Sequence, residues 1–189
     1  MKHTVTNLAI ACMLASGAVA SDDYESALKD LANNTIAEWV TDPVVLDVLR
    51  IQNVAHEKLT EGEIIALDAT WREQVVSGGA LVDSILSNGL SNRLREIQAQ
   101  GDGRYTEIFI TDARGLNVGQ SDITSDYWQG DEDKWQVPHT TSGIHISPVE
   151  FDESSQAYQS QISLPIMDDG TFVGVITVGV DLELLTSAN

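Results

Sequence analysis

The residues with the greatest capacity for chemistry fall in one short run, residues 126–135, DYWQGDEDKW. It sets three aromatic side chains, Tyr127, Trp128 and Trp135, among the carboxylates Asp126, Asp131, Glu132 and Asp133. Aromatic faces beside carboxylates suit an amine or a quaternary ammonium, through cation–π attraction plus charge, and they also suit a flat polar ligand that stacks. The competing reading is that the rings only pin a long loop onto what lies beneath, because aromatics in a loop have to bury something. The four acids are also the donor type that a hard cation such as Ca2+ takes. Their spacing lacks the alternating ligands and the intervening Gly of an EF-hand loop, so a solvated acidic turn is the simpler account of them.

Other candidates lie on strand-like stretches. Tyr158, Gln161, Ser142 and His145 belong to segments that should flank a pocket, and His145 alternates with Ile144 and Ile146, which puts it on the more polar face. Asp181, just after the last apolar stretch, has the position of a helix N-cap. Catalysis finds no such support. The chain has no nucleophile-elbow G-x-S-x-G, no H-E-x-x-H, no phosphate-binding G-x-x-x-x-G-K-[ST] and no dinucleotide fingerprint, so no catalytic residue and no cofactor is expected.

Composition narrows the partners. The 189 residues carry a formal charge of −19, which argues against nucleic acid and anionic membrane surfaces and is compatible with cationic ligands or divalent cations. At 42% hydrophobic and 6% aromatic the chain is globular. Residues 1–20 have the plan of a cleaved secretory signal: Lys2 and His3, the apolar stretch LAIACML, then Ala18-Val19-Ala20 before Ser21. The apolar stretch falls short of the roughly 20 residues that span a bilayer as a helix. Cys12 lies inside it, so residues 21–189, read as one exported domain, have no thiol.

The elements that must position these residues divide the chain in two. The first half is helical in period. Tyr24, Leu28, Leu31, Thr35 and Trp39 mark one face of a first helix, and Asp42-Pro43 opens a second. Thr60 and Glu63 have capping-box spacing ahead of Ile64, Leu67, Trp71 and Val75, while Val82, Leu86, Leu90, Leu94 and Ile97 line a further helix. The second half alternates. Residues 105–111 and 116–120 form a hairpin, 121–141 an irregular polar loop, and 143–149 a strand. Residues 158–166 and 172–180 are joined by a turn at Asp168-Asp169-Gly170. The last of these is apolar on both faces, as a central strand covered on both sides must be. The order predicts an α+β domain with one five-stranded antiparallel sheet.

In this order the motifs EIFITDARGLNVGQSD, SGIHISPV and SLPIMDDGTFVGVITVGVDLELL resemble a Cache domain, the PAS-like (PDC) extracytoplasmic sensor module of bacterial chemoreceptors and histidine kinases. The resemblance runs from about Asp22 to Leu185. It implies long N-terminal helices on one face of the sheet and, on the other, the long loop enclosing a small-molecule pocket. It also implies a ligand-amine contact for Asp181. Amino-acid-binding members carry an Arg close before their aromatic pair; this loop has Ser125-Asp126-Tyr127-Trp128-Gln129, so an Arg fork for a ligand carboxylate is not expected there. With no second apolar span in the sequence, the resemblance suggests a stand-alone periplasmic form. Such a form would bind a small polar metabolite and act through a membrane histidine kinase or chemoreceptor, with the N-terminal helix available for a homodimer. A ligand-free interaction module and a Ca2+-binding acidic protein stand as the alternatives.

Overall fold

The N-terminal rod is built from an apolar stripe that changes phase partway along. The structure, a computed structural model, describes residues 16–152 and 156–187, with side chains from Tyr24 onward. Most of the expected signal segment, residues 1–15, lies outside them. Helix α1 (Ser16–Leu31) passes through a π-helical segment (Ala32–Ile36) into the short α2 (Ala37–Trp39) without leaving helical dihedrals. A π turn spans one residue more than an α turn. The buried stripe therefore steps from Leu28, Leu31 and Ala32 to Ile36, rather than to the Thr35 that a regular helix would bury.

The next helices begin where the caps dictate. Asp42 accepts from the Val44 amide at 2.9 Å and Pro43 opens α3 (Pro43–His56), which buries Val45 and Leu49. Thr60 and Glu63 form a reciprocal capping box at the start of α4 (Glu61–Ser77). The single helix expected over residues 82–97 is two, α5 (Ala80–Leu86) and α6 (Gly89–Gln100). Asn88 interrupts it, its side-chain oxygen accepting from the Ser91 amide at 2.8 Å as the N-cap of α6.

The sheet is antiparallel in the order β2-β1-β6-β5-β3, with β4 also on β5. Its strands are β1 (Tyr105–Asp112), β2 (Asn117–Gln120), β3 (His145–Ile146), β4 (Glu150–Asp152), β5 (Ala157–Asp168) and β6 (Thr171–Asp181). The sheet has six strands where five were expected: the strand predicted over residues 143–149 is reduced to β3, and β4 forms just beyond it at Glu150–Asp152. Pro148 between them has no N–H to give to a ladder. The β5–β6 hairpin turns at Asp169 and Gly170, both at positive φ, the form that suits a two-residue turn. Between α6 and β5, helix α7 (Asp133–Thr141) and the chain before it cross the sheet. Helix α8 (Leu182–Ser187) follows β6, and the Asp181 carboxylate accepts from the Glu183 and Leu184 amides at 2.9 and 3.0 Å. Among the described residues no helix is long and apolar enough to cross a membrane.

One face of the sheet presents Ile108, Ile110, Ile162, Leu164, Ile166, Ile176, Val178 and Val180 to the N-terminal helices, and together they make the main core. A smaller cluster joins Ile64, Trp71, Val82 and Ile85 of α4 and α5 to Leu116 and Tyr127. Outside the core, Arg50 of α3 grips the β5–β6 hairpin: Nε and Nη2 donate to the two oxygens of Asp168 at 2.6 and 2.7 Å.

The hydrogen bonds from Arg50 hold the Asp168 carboxyl below its usual range. A depressed carboxylate pKa stabilises the fold above the unfolded-state value, and the contribution is lost as pH falls through the folded-state value. Arg50→Ala is therefore expected to raise the Asp168 pKa toward that of a free carboxylate in an NMR titration. The stability difference between wild type and variant should be present at neutral pH and vanish in acid.

Candidate functional site

The face of the sheet turned away from the helical core is polar, and strand register fixes which residues share it. Directly opposed residues in antiparallel strands project on the same side. The pairs Gln120–Phe109, Phe109–Thr177, Thr177–Ser163 and Ser163–His145 therefore form one row across five strands. Ser163 and Thr177 hydroxyls meet at 3.0 Å and are fully buried. In the next row Gly179 lies between Glu107 and Gln161, and the Gln161 amide donates to Glu107 Oε1 across it at 2.7 Å. A Cβ on Gly179 would fall 2.3 Å from Thr106 Oγ1 and 2.9 Å from Glu107 Cγ, so this span requires glycine.

A lid made of residues 121–142 covers this face. Its second half is not the irregular loop expected from its polarity. It forms α7, on which Trp135 stacks with His139 one turn on, ring centroids 4.4 Å apart, both against Phe172. The i,i+4 aromatic contact and the apolar partner on β6 supply what the local sequence lacks in helix propensity.

Helix α4 and the β1–β2 turn hold the first half of the lid. Asp68, nearly buried, accepts from the backbone amides of Tyr127 and Trp128 at 2.9 and 3.1 Å and pairs with Arg72. The Arg72 Nε reaches Asp126 Oδ1 at 2.7 Å. The Trp71 indole donates to the Thr124 carbonyl at 2.9 Å and its ring stacks on Tyr127 at 5.4 Å. Trp128 Nε1 donates to the Arg114 carbonyl at 2.9 Å, Gln129 N to that of Gly115 at 2.7 Å, and Trp135 Nε1 to that of Asp112 at 3.2 Å.

These contacts set out where each expected site residue stands. Tyr127 is 2% exposed and serves as a pin; burial, with the charge of Asp112 adding to it, pushes its hydroxyl pKa up. Trp128 and Trp135 have their indole N–H groups committed to turn carbonyls, and Asp126 is committed to Arg72. The three rings do not form an open aromatic cage, because each N–H or ring face already has a protein partner. His145 and Gln161 lie on the lidded face. Tyr158 does not: by strand alternation it shares the side of Ile162, half exposed at the start of β5 and edge-on to Phe151. Asp181 ends β6 with its carboxylate engaged as the cap of α8. Nor do the acids of the lid gather as a cation site, since Asp126 turns to Arg72 and Glu132 to Lys134. Among the described residues no three His, Cys, Asp or Glu side chains are placed to hold a metal ion.

Sequence reasoning passed over Lys134, which lies within the run it singled out. Its ammonium stands 5.7 Å from the Phe109 ring centroid, in cation–π range, and 3.0 Å from Glu132 Oε2. The signal available was the alternation of β1, which puts Phe109 and Glu107 opposite Ile108 and Ile110. Beside Lys134 a polar cleft of about 330 Å³ opens between the lid and the β3–β4 edge, lined by Glu132, Lys134, Ser147, Glu150, Gln159 and Gln161. Deeper under the lid, Asn117, Gln120 and Gln129 are buried. Asn117 and Gln120 both reach the Thr124 hydroxyl, and Asn117 and Gln129 both donate to the Asp126 carbonyl. Among the described residues Asn117 Oδ1, Gln120 Nε2 and Gln129 Oε1 have no protein hydrogen-bond partner, which leaves two acceptors and a donor buried there.

A polar sheet face roofed by a hydrogen-bonded lid and backed by N-terminal helices defines a PDC sensor domain. Residues 72–187 match the model of the methyl-accepting chemotaxis protein-like, first PDC sensor domain family, and the chain belongs to that family. Among solved structures, the extracellular domain of vpHK1S-Z8, described as a histidine kinase, is similar at 16% identity and a TM-score of 0.50; the match covers 90% of this chain and 58% of that one. The sensory domain of the Campylobacter jejuni chemoreceptor Tlp3 matches at 16% identity and a TM-score of 0.42, over 89% of this chain and 66% of that one. The ligand-binding domain of the Pseudomonas aeruginosa PAO1 amino acid chemoreceptor PctC, in complex with GABA, matches at 14% and 0.46, over 91% and 61%. The chain thus spans less than two thirds of the length of each, and at 16% identity the likeness to vpHK1S-Z8 is one of fold. No curated protein matches the chain.

Asp68→Ala removes the acceptor of two lid amides. Leaving buried donors unsatisfied costs about 1–3 kcal/mol, and the variant is expected to lose stability in that range. Hydrogen exchange at Tyr127 and Trp128 should accelerate ahead of exchange in β5 and β6.

Proposed function

We propose that this domain is an extracytoplasmic sensor. Residues 1–20 direct export and are cleaved, and the periplasmic domain binds a small polar metabolite under the lid and passes the event to a membrane histidine kinase or chemoreceptor. The observation that carries the reading is the lidded polar cleft, with Lys134 held over Phe109 and flanked by carboxylates. Glu132 and Glu150 line it, and Glu107 lies in the floor beside it, against the single cation Lys134. That balance favours a ligand bearing an amine, with any anionic end directed to Lys134 rather than to an arginine fork. Family membership supports the sensor role.

One observation favours a second reading, a ligand-free docking module: Ile51 and Val54 on the outer side of α3 are 72% and 76% exposed. Thermal-shift screening of residues 21–189 against a panel of amines and amino acids separates the two. A ligand at 100 times its dissociation constant stabilises the folded state by about 2.7 kcal/mol. Lys134→Ala and Gln161→Ala are expected to weaken a hit at least tenfold while shifting the ligand-free melting temperature little. A panel without hits, together with association that depends on Ile51, would overturn the sensor reading in favour of docking.

A further inference from the structure

The turn between β1 and β2 is held from two sides by unrelated elements. From the lid, three donors reach three carbonyls of the turn: Trp135 Nε1 to Asp112, Trp128 Nε1 to Arg114 and Gln129 N to Gly115. From the end of α3, His56 Nδ1 meets Asp112 Oδ2 at 2.6 Å, Asn53 Oδ1 accepts from the Ala113 amide at 2.9 Å, and Arg114 Nη1 donates to the Glu57 carbonyl at 3.1 Å. Asn53 also donates to the Val173 carbonyl on β6 at 2.8 Å, so α3 is tied to the sheet and the turn together.

Asp112 belongs to both sets. Its backbone oxygen serves the lid, one carboxylate oxygen serves His56, and the other accepts from the Arg114 and Leu116 amides at 2.8 and 3.0 Å. The side chain is fully buried, so no water stands ready to replace a lost partner, and losing one leaves an uncompensated polar atom. With His56 Nδ1 donating to the carboxylate, its Nε2 accepts from the Gln52 amide at 2.8 Å, which fixes the ring from the α3 side. The lid has equally little slack. Gly115 sits at φ +82°, and a Cβ there would come within 2.6 Å of Gly130 Cα and N, so lid and turn backbones are in direct contact.

We infer that the β1–β2 turn couples the lid to helix α3, so that displacement of either loosens the other through Asp112. As a route for signal output this rests on the sensor reading above, in which the lid moves with ligand. The coupling itself needs no ligand to be tested. A packed, fully bonded turn passes on a shift because its partners have few intermediate arrangements, and the physical warrant is a measured coupling between the two sides.

The experiment is a double-mutant cycle read by hydrogen exchange on the full domain. His56→Ala perturbs the α3 side. Trp135→Phe removes the indole N–H on the lid side and keeps an aromatic ring. The expected result is that His56→Ala raises exchange of the amides of residues 126–141 about tenfold, although its side-chain hydrogen bonds go to Gln52 and Asp112 and its carbonyl accepts from Arg114, and that Trp135→Phe raises exchange of residues 52–57. The double variant should show less than the product of the two effects. If each variant loosens only its own side, or if protection in β5 and β6 falls as far as in the lid, the coupling is refuted. Should His56→Ala fail to fold, Asn53→Ala, which removes the contact to Ala113, takes its place under the same criteria. No variant touches the cleft-lining side chains, so an empty ligand screen would sink the sensor reading and leave this result standing.

Discussion

Strand β6 is paired on both edges and buried on both faces, and that requirement organises the domain. A strand in this position cannot leave either face to water without exposing a row of β-branched side chains. Its even-numbered residues, Ile176, Val178 and Val180, call for an apolar cover, and the N-terminal helices provide it. Its odd-numbered residues include Val175 and Thr177, which are buried as well. A second cover of different character is therefore obligatory, and the lid of residues 121–142 is that cover. The functional face follows from the packing problem: a lid laid over hydroxyls and amides is held by hydrogen bonds at discrete points together with the small apolar cluster around Trp71 and Tyr127.

This difference between the covers also divides their mechanical roles. The helical side buries large aliphatic residues in close packing, which resists small displacements. The lid side relies on Asp68, Trp71, the turn carbonyls and a few rings, each a separable contact. Elements held in this way open at lower free energy than core elements do. A sensor needs that asymmetry, with one rigid face to preserve the fold and one face that can respond.

Much of the fold was legible because it rests on period and caps. The alternation in residues 158–166, the two-sided apolar run 172–180, the Asp42-Pro43 start and the Thr60–Glu63 box each correspond to observed elements. The resemblance to Cache domains agrees with the family match. What escaped was non-local. Helix α7 depends on Phe172 from β6, and the step in α1 depends on a π turn that no periodicity announces. Strand 143–149 was broken by a single proline. In the site, the run 126–135 lies in the lid, where its aromatic members are engaged in attachment. The groups that line the cleft include Lys134, a cation in a run read for its acids, and Glu150 and Gln159, which no motif singled out; Phe109 and Glu107, which Lys134 and Gln161 contact, stand on a strand first read only as half of a hairpin.

Gly179 has a meaning beyond the sheet geometry that requires it. It sits in the VGVD run that closes β6, flanked by Glu107 and Gln161, whose side chains meet over it. The close crossing of the two side chains thus depends on a missing carbon atom, whose place Thr106 Oγ1 and Glu107 Cγ crowd, and a single hydrogen bond closes the bridge. A guest that offered the amide and the carboxylate better partners than each other would open that bridge and leave the strand backbone beneath it in place. The shape of the site is in this sense adjustable from inside, by exchange of one hydrogen bond.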